Sequence, residues 1–324
     1  MSVSRRNFIR SVAASGAAMA APGCVTRLFS DEFDENLTVF LSDIHVTGRD
    51  DFTRWLYTRT ELAKRVNEIL AMRPRPRNVV TFGDLSLGVG ETCDYSLAVK
   101  LLKPLVDAGI RVTHAMGNHD NRAHFLEYYP GYAKYSAVPG RIVSEVDLGF
   151  CDLVLLDTLE GDRLNGGGLV DGELNKAMLE YIADTFPKRT RPFIAGAHHG
   201  VYDIPNGGKE LSSALINSPY CVGWVHGHDH NWVKRSIVTW GNKNEDTIRS
   251  LTLPSAGLWG DIGYVVFRTD EEGAVASLVQ HDYWFNDVLH PGESRPQTWQ
   301  DILRENKGET CRFSFERRQR NKKA

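Results

Sequence analysis

The sequence predicts an α/β fold, and three observations carry that expectation. Short apolar, β-branched runs alternate with segments of helical periodicity from residue 37 to residue 116, a β-α-β-α-β order that predicts parallel strands with right-handed crossovers. Beyond residue 232 come several alternating runs with no helix between them, which predicts an antiparallel-rich second half. Five clusters of Asp, Asn and His each follow a predicted strand: Asp43-Ile44-His45, Gly83-Asp84, Gly117-Asn118-His119-Asp120, His198-His199 and Gly227-His228-Asp229-His230. Core packing does not explain five such clusters, whereas α/β sheets place their sites outside the carboxyl ends of strands.

Taken in order, Leu37-Thr38-Val39-Phe40-Leu41-Ser42 reads as a strand, and period-two alternation puts Asp43 and His45 on one face. Phe52, Trp55, Leu56, Leu62, Val66, Ile69 and Leu70 recur at helical spacing and predict a helix that stops before Pro74 and Pro76. Asn78 to Phe82 is the second strand. Leu97, Leu101, Leu102, Leu105 and Val106 give a helix ending at Gly109, and Ile110 to Met116 is a buried strand that ends in Gly-Asn-His-Asp. Arg141 to Val146 and Asp152 to Asp157 read as paired strands, and Gly166-Gly167-Gly168 as a loop. Leu174, Met178, Leu179 and Ile182 mark a helix. Phe193 to Ala197 and Cys221 to Val225 are strands leading to the two late His clusters. Runs 232–239, 248–253, 263–268 and 274–280 complete the strands. With no internal repeat or linker, residues 37–290 form one domain, and 291–324 a basic tail expected to fray or lie on the surface from Arg304 onward.

The chain has 324 residues and a formal charge of −3, which argues against non-specific nucleic-acid binding. Residues 1–24 read as a targeting segment: Ser4-Arg5-Arg6-Asn7-Phe8-Ile9-Arg10 resembles the twin-arginine export signal and precedes an Ala-rich stretch too short to span a membrane. The expected partner is the twin-arginine export machinery, and the expected location periplasmic or membrane-anchored. Ala18-Met19-Ala20 suits signal peptidase, while Ala21-Pro22-Gly23-Cys24 is an imperfect lipobox that would leave a lipid anchor on Cys24; both remain open. The other cysteines form no close-spaced pairs, so neither a CxxC zinc motif nor a disulfide framework is expected.

Carboxylates and imidazoles at five strand ends suit a pair of manganese, iron or zinc ions. Asp84 can bridge two ions, with Asp43, His45, Asn118 and the late His residues completing them. A metal pair roughly 3.5–4 Å apart can hold a hydroxide and clamp a phosphoryl oxygen. His119 would protonate the leaving oxygen or stabilise its charge, and Asp120 would orient the imidazole.

In order, Asp43-x-His45, Gly83-Asp84, Gly117-Asn118-His119-Asp120, His198 and Gly227-His228-x-His230 resemble the motifs of the calcineurin-like metallophosphoesterases. The resemblance implies a four-layer α/β/β/α sandwich, two packed mixed β-sheets flanked by helices, over about residues 37–290. It implies Asp43, His45 and His230 on one ion, Asn118, His198 and His228 on the other, Asp84 bridging, His119 as the catalytic imidazole and Asp120 as its partner. It implies two divalent or mixed-valence metal ions and a phosphate-ester small-molecule substrate, with a diester slightly favoured over a monoester. Leu174 and Met178 stand where the family commonly has Gln and Trp.

His198 and His199 compete for one ligand role, and the family pattern favours His198. His226 reads as a supporting or core residue and His114 as a core histidine. Arg122, Arg163 and Asn231 could contact a substrate phosphate, with solvated side chains as the default, and Asp157 could touch the site or serve as a cap. Competing functions are a non-hydrolytic metal-containing envelope lipoprotein and a nucleotide pyrophosphatase of the same fold. An exported oxidoreductase lacks any flavin, haem or iron–sulfur motif.

Overall fold

The computed structural model describes residues 33–49, 52–53, 56–161, 170–238, 247–284 and 297–316. The targeting segment 1–24 with Cys24, Arg163, the glycine cluster 166–168 and residues 317–324 lie outside the described residues.

Strand β1 (Phe33–Leu41) is followed by a short hairpin of β2 (Phe52–Thr53) and β3 (Leu56–Tyr57), then α1 (Thr58–Ala71), β4 (Arg75–Phe82), α2 (Thr92–Asp107) and β5 (Arg111–Ala115). The expected β-α-β-α-β unit is present, with β1 parallel to β4 and β4 parallel to β5. Next come α3 (Arg122–Tyr128), α4 (Gly131–Tyr135), the hairpin β6 (Ser144–Asp147) and β7 (Asp152–Leu155), α5 (Lys176–Thr185), β8 (Phe193–Ala197), α6 (Gly208–Asn217) and β9 (Cys221–His226). The chain closes with β10 (Val233–Val238), β11 (Thr247–Thr252), β12 (Gly260–Thr269), β13 (Gly273–Trp284), α7 (Gln297–Asn306) and β14 (Thr310–Ser314).

Two six-stranded mixed sheets result, ordered β14-β13-β12-β1-β4-β5 and β10-β11-β9-β8-β7-β6. Alternation along the strands sorts their side chains into three apolar layers. Phe40, Val80, Phe82, Ile194, Val225 and Phe267 meet between the sheets. Their sequence neighbours Val39, Leu41 and Val79 point outward onto Leu62, Val66 and Ile69 of α1 and Leu102 and Leu105 of α2. On the second sheet, Phe193, Ala195 and Trp224 face Met178 and Ile182 of α5 and Leu211 and Leu215 of α6. Sheets covered on both faces explain why these strands read as nearly continuous apolar runs. Each large apolar side chain fully buried in these layers contributes about 1.5–3 kcal/mol.

The architecture is the expected sandwich, with four local differences. The helix expected to begin near Phe52 begins at Thr58, because Phe52–Thr53 pair antiparallel with Leu56–Tyr57; Thr53 and Tyr57 are β-branched or aromatic and lose rotamer freedom in a helix. Residues 121–140, to which the sequence assigns no element, contain α3 and α4. Asn121 caps α3 by accepting the His124 amide, a start signal with only Arg122 and Phe125 buried behind it. Residues 200–217, likewise assigned no element from the sequence, include α6, whose N-cap Gly207 gives no side-chain signal. Finally, part of the tail is ordered. Strand β14 adds to β13, burying Cys311 and Phe313 while Thr310, Arg312 and Ser314 face outward. Its one basic residue, Arg312, lies on the solvent side of this edge strand. Among the described residues, no helix is long and apolar enough to cross a membrane, and Cys93, Cys151, Cys221 and Cys311 are free thiols.

Candidate metal centre

The five clusters lie beyond the carboxyl ends of β1, β4, β5, β8 and β9. The chain turns sharply there: Asp43, His45, Asp84, His228 and His230 have φ of 50, 51, 49, 72 and 56°. A non-glycine residue in this left-handed region carries on the order of 1 kcal/mol of strain or more and persists only where its surroundings over-determine it. Here the loops are bonded to one another. The His45 amide donates to the Asp84 carbonyl (2.9 Å) and the Gly227 amide to the His198 carbonyl (3.0 Å). The Ala256 amide donates to the Ser42 carbonyl (2.8 Å) and the Ser255 hydroxyl to the Asp43 carbonyl (2.9 Å). Asp43 and His45 therefore converge through two left-handed residues, rather than through strand alternation, since β1 ends at Leu41.

Two motif glycines are required by close approach. A Cβ on Gly117 would lie 2.2 Å from Asp84 Oδ1, and one on Gly227 would lie 1.9 Å from Ser42 Oγ and 2.7 Å from Asp43 Oδ2. Glycine lets the Asp84 and Asp43 carboxylates pass beneath neighbouring backbones.

Around Asp43, His230 Nε2 is 3.1 Å from Oδ1, and His45 Nε2 is 3.2 Å from His230 Nε2 and 3.6 Å from Asp84 Oδ2. Around Asn118, Oδ1 is 3.0 Å from both His198 Nε2 and His228 Nδ1. Asp84 Oδ2 lies 3.2 Å from His198 Nε2, so this carboxylate stands between the two groups. Asp43, His45, Asp84 and His198 are each 1% exposed or less, and Asn118 and His230 are buried.

The outer nitrogens fix the rings. His45 Nδ1 faces the Ser86 carbonyl (3.2 Å), His198 Nδ1 the Phe82 carbonyl (2.8 Å) and His230 Nδ1 the Leu258 carbonyl (2.7 Å). A carbonyl only accepts, so each Nδ1 carries a proton, and whenever the ring is neutral its Nε2 presents a lone pair. Those lone pairs point at one another and at carboxylate and amide oxygens. Acceptors 3.0–3.6 Å apart in a dry site repel unless a cation or proton sits among them. Carbonyl-anchored imidazoles of this kind are what metal-ligating histidines show, and the donor set of imidazole, carboxylate and amide oxygen fits manganese, iron or zinc.

The proton affinities follow the same logic. Burial opposes the charge on His198, but the Asp84 and Asp43 carboxylates outweigh it and push the ring up to about 10. Burial would raise Asp43, yet His230 and His198 hold it well below the usual carboxylate range. Asp84 is likewise held low against burial, by His198, His119 and His45. Burial dominates at His45, down to about 3, and at His228, down to about 4. The pocket therefore favours positive charge held between two anionic carboxylates.

His119 is half-buried. Its amide donates to Asp84 Oδ1 (2.8 Å), its Nδ1 faces the Gly88 carbonyl (2.9 Å), and its ring lies 4.9 Å from that of His45. Asp120 differs from the expectation that it orients this ring. Its carboxylate instead accepts from the amides of Gly117 (2.9 Å), Ser86 (3.3 Å) and Leu85 (3.4 Å) and from the Tyr95 hydroxyl (3.1 Å). A residue next to His119 in sequence points to the opposite side of the turn and clamps the β4 and β5 loops together. Burial, then the Asp84 charge, raises it to about 6.

Other sequence candidates are placed clearly. His198, not His199, faces Asp84; His199 Nδ1 meets the Thr158 hydroxyl at 2.7 Å, and its ring sits 4.9 Å from those of His198 and His228. His226 bonds the Gly227 carbonyl and Thr252, and His114 bonds Thr81 within an aromatic cluster, so both are structural. The Arg122 guanidinium is committed to the buried Asp157 carboxylate (2.6 and 2.9 Å) and to loop carbonyls, which removes it as a phosphate contact. Asn231 folds back onto the Asp229 carbonyl. Sequence reasoning missed Ser42, whose hydroxyl donates to Asp43 Oδ2 (2.5 Å), and Ser255, which ties the 255–258 turn to Asp43. A serine next to a candidate ligand was the available signal for Ser42; Ser255 lies far from every motif and carried none.

A two-sheet sandwich with buried Asp, Asn and His converging from strand ends of both sheets defines the metallophosphoesterase class of fold. Residues 37–232 match the calcineurin-like phosphoesterase family, and the chain belongs to that family. The family is metal-dependent, and the Asp/His groups described above are its candidate metal-binding clusters. No curated protein sequence matches the chain. Among solved structures, the purple acid phosphatase PPD1 from yellow lupin (Lupinus luteus) seeds is similar at a TM-score of 0.51 and 13% identity, covering 76% of this chain and 51% of that one. The chain thus spans about half the length of that relative, and the likeness is one of fold. A Vps29 variant from Entamoeba histolytica (TM-score 0.37, 10% identity, 86% of this chain and 99% of that one) and SoxB from Thermus thermophilus (0.39, 10%, 85% and 60%) are more distant.

Proposed function

We propose that the chain is a dinuclear metal-dependent hydrolase acting on a phosphodiester or phosphomonoester. The observation that supports this most directly is the convergence of imidazole lone pairs on two buried carboxylates and an amide oxygen. Asp43, His45 and His230 would hold one ion, Asn118, His198 and His228 the other, and Asp84 both. Bound there, manganese, iron or zinc ions supply Lewis acidity toward a phosphoryl oxygen and a water acidic enough to serve as nucleophile.

The chain's own residues do the rest. Carbonyls of Phe82, Ser86 and Leu258 orient the imidazoles. The Asp120 clamp holds the loops that carry Asp84 and Asn118. The Gly88 carbonyl accepts from His119 Nδ1 and holds the ring, and in its imidazolium form the ring would give its Nε2 proton to the leaving oxygen. Export by the twin-arginine route, to the periplasm or a lipid anchor at Cys24, rests on Arg5-Arg6 and the apolar stretch after them. A cofactor-loading enzyme that must acquire metal before crossing a membrane suits that route.

The test is turnover of bis-p-nitrophenyl phosphate and p-nitrophenyl phosphate by manganese-loaded protein. Hydrolysis abolished by a chelator and restored by metal is the expected result. Two ions bound per chain with no turnover of either ester would leave the non-hydrolytic binding reading. Export is checked separately: a reporter fused to residues 1–32 should stay in the cytoplasm once Arg5 and Arg6 are both changed to Lys.

A further inference from the structure

We infer that Trp259 is a specificity-determining residue, presenting an aromatic face beside the metal centre to a planar π group on the ester. The inference rests on the phosphoesterase reading and extends it to the organic part of the substrate. From Leu251 to Val265 every residue is buried except Trp259, which is half-buried. Its ring centroid lies 5.3 Å from that of His230, tilted by 42°, so the indole stands against a candidate ligand.

The backbone at this point is costly. Trp259 has φ of 23°, a value a bulky side chain rarely adopts. The turn that imposes it is held at both sides. The Ser255 hydroxyl accepts the Leu258 amide (2.8 Å) while donating to the Asp43 carbonyl (2.9 Å), and the Leu258 carbonyl accepts from His230 Nδ1 (2.7 Å). A small residue would sit in this conformation with less strain, yet the largest side chain occupies it and stays partly exposed. Strain combined with incomplete burial beside a site is the pattern of a functional side chain. The same turn packs on the start of α1: a Cβ on Gly257 would be 3.6 Å from the Thr58 carbonyl, and Tyr57, next to Thr58, is 51% exposed.

An indole face next to a phosphate-binding centre recognises flat π systems without reading their edges, because stacking tolerates any such ring. Nucleobases and simple aryl groups share that chemistry, and alkyl esters lack it.

The experiment is calorimetric binding of methyl phosphate, phenyl phosphate and adenosine monophosphate to the manganese-loaded full chain, in wild type, Trp259→Ala and Trp259→Phe. The wild type should bind both aromatic ligands about tenfold more tightly than methyl phosphate. Trp259→Ala should bind all three ligands alike, erasing that preference, and Trp259→Phe should keep most of it. A preference for adenosine monophosphate alone would assign the face to nucleobases, and equal preference to aryl groups in general. No aromatic preference in the wild type, or an unchanged preference in Trp259→Ala, would overturn the inference. Because the readout is binding, absence of turnover would sink the hydrolase reading while leaving the aromatic face intact.

Discussion

Changing Asp84 to Asn is the sharpest single perturbation of the proposed centre. The carboxylate is buried, with Oδ2 at 3.2 Å from His198 Nε2 and 3.6 Å from His45 Nε2, and Oδ1 accepting the His119 amide. Asparagine is nearly isosteric and can keep that amide bond, so the change removes chiefly one negative charge. At an effective dielectric of about 20, a unit charge 4 Å from another is worth about 4 kcal/mol. For each unit of ionic charge felt by the bridging oxygen, that is on the order of a thousandfold in affinity. Elemental analysis of protein dialysed against a weak chelator should show wild type retaining two ions and Asp84→Asn losing at least one. Hydrolysis of bis-p-nitrophenyl phosphate should fall to background. Retention of both ions with unchanged turnover would refute the bridging assignment.

Replacing His119 with Ala should leave both ions bound, slow esters with poor leaving groups by about 10²–10⁴-fold, and slow nitrophenyl esters much less, because nitrophenolate scarcely needs a proton; equal losses on both would remove the proton-donor role. Asp120→Asn should act on the fold rather than on leaving-group dependence, since its NH₂ would confront amide donors. A lower melting temperature and about 1–3 kcal/mol of lost stability are expected, with an unchanged ratio of rates between ester types; a changed ratio would restore the orienting role. Buried His114, pushed down to about 3 by burial alone, stays neutral in the fold while the unfolded chain protonates near 6.5. Between those values the unfolded state binds more protons, so stability is fully present above pH 6.5 and falls with pH by up to about 1.4 kcal/mol per unit. Urea melts of His114→Gln at pH 7 and pH 5 should show a smaller difference than wild type, and an equal difference would contradict this account.

The clusters were legible because ligand chemistry leaves residue types that packing does not select, and because each follows an apolar run that a buried strand requires. Alternation misled at Asp43 and His45, where left-handed backbone rather than strand geometry brings the pair together. Asp120 was misassigned because adjacency in sequence says nothing about direction around a turn. The signals for α3 and α6 are weak: one capping asparagine, and one short apolar stripe after glycines. Strand β14 was hidden in a polar stretch where only two buried side chains, Cys311 and Phe313, alternate with Thr310, Arg312 and Ser314. Trp259 and Ser255 belong to no motif, and only the approach of their turn to His230 and Asp43 gives them meaning.

The central claim is that two ions lie beyond the carboxyl ends of strands from both sheets, with Asp84 shared by both. Anomalous X-ray scattering from crystals grown with manganese tests it directly. The account expects two peaks roughly 3.5–4 Å apart, one among Asp43, His45 and His230, the other among Asn118, His198 and His228, with the Asp84 carboxylate between them. A single peak, or peaks away from Asp84, would contradict it.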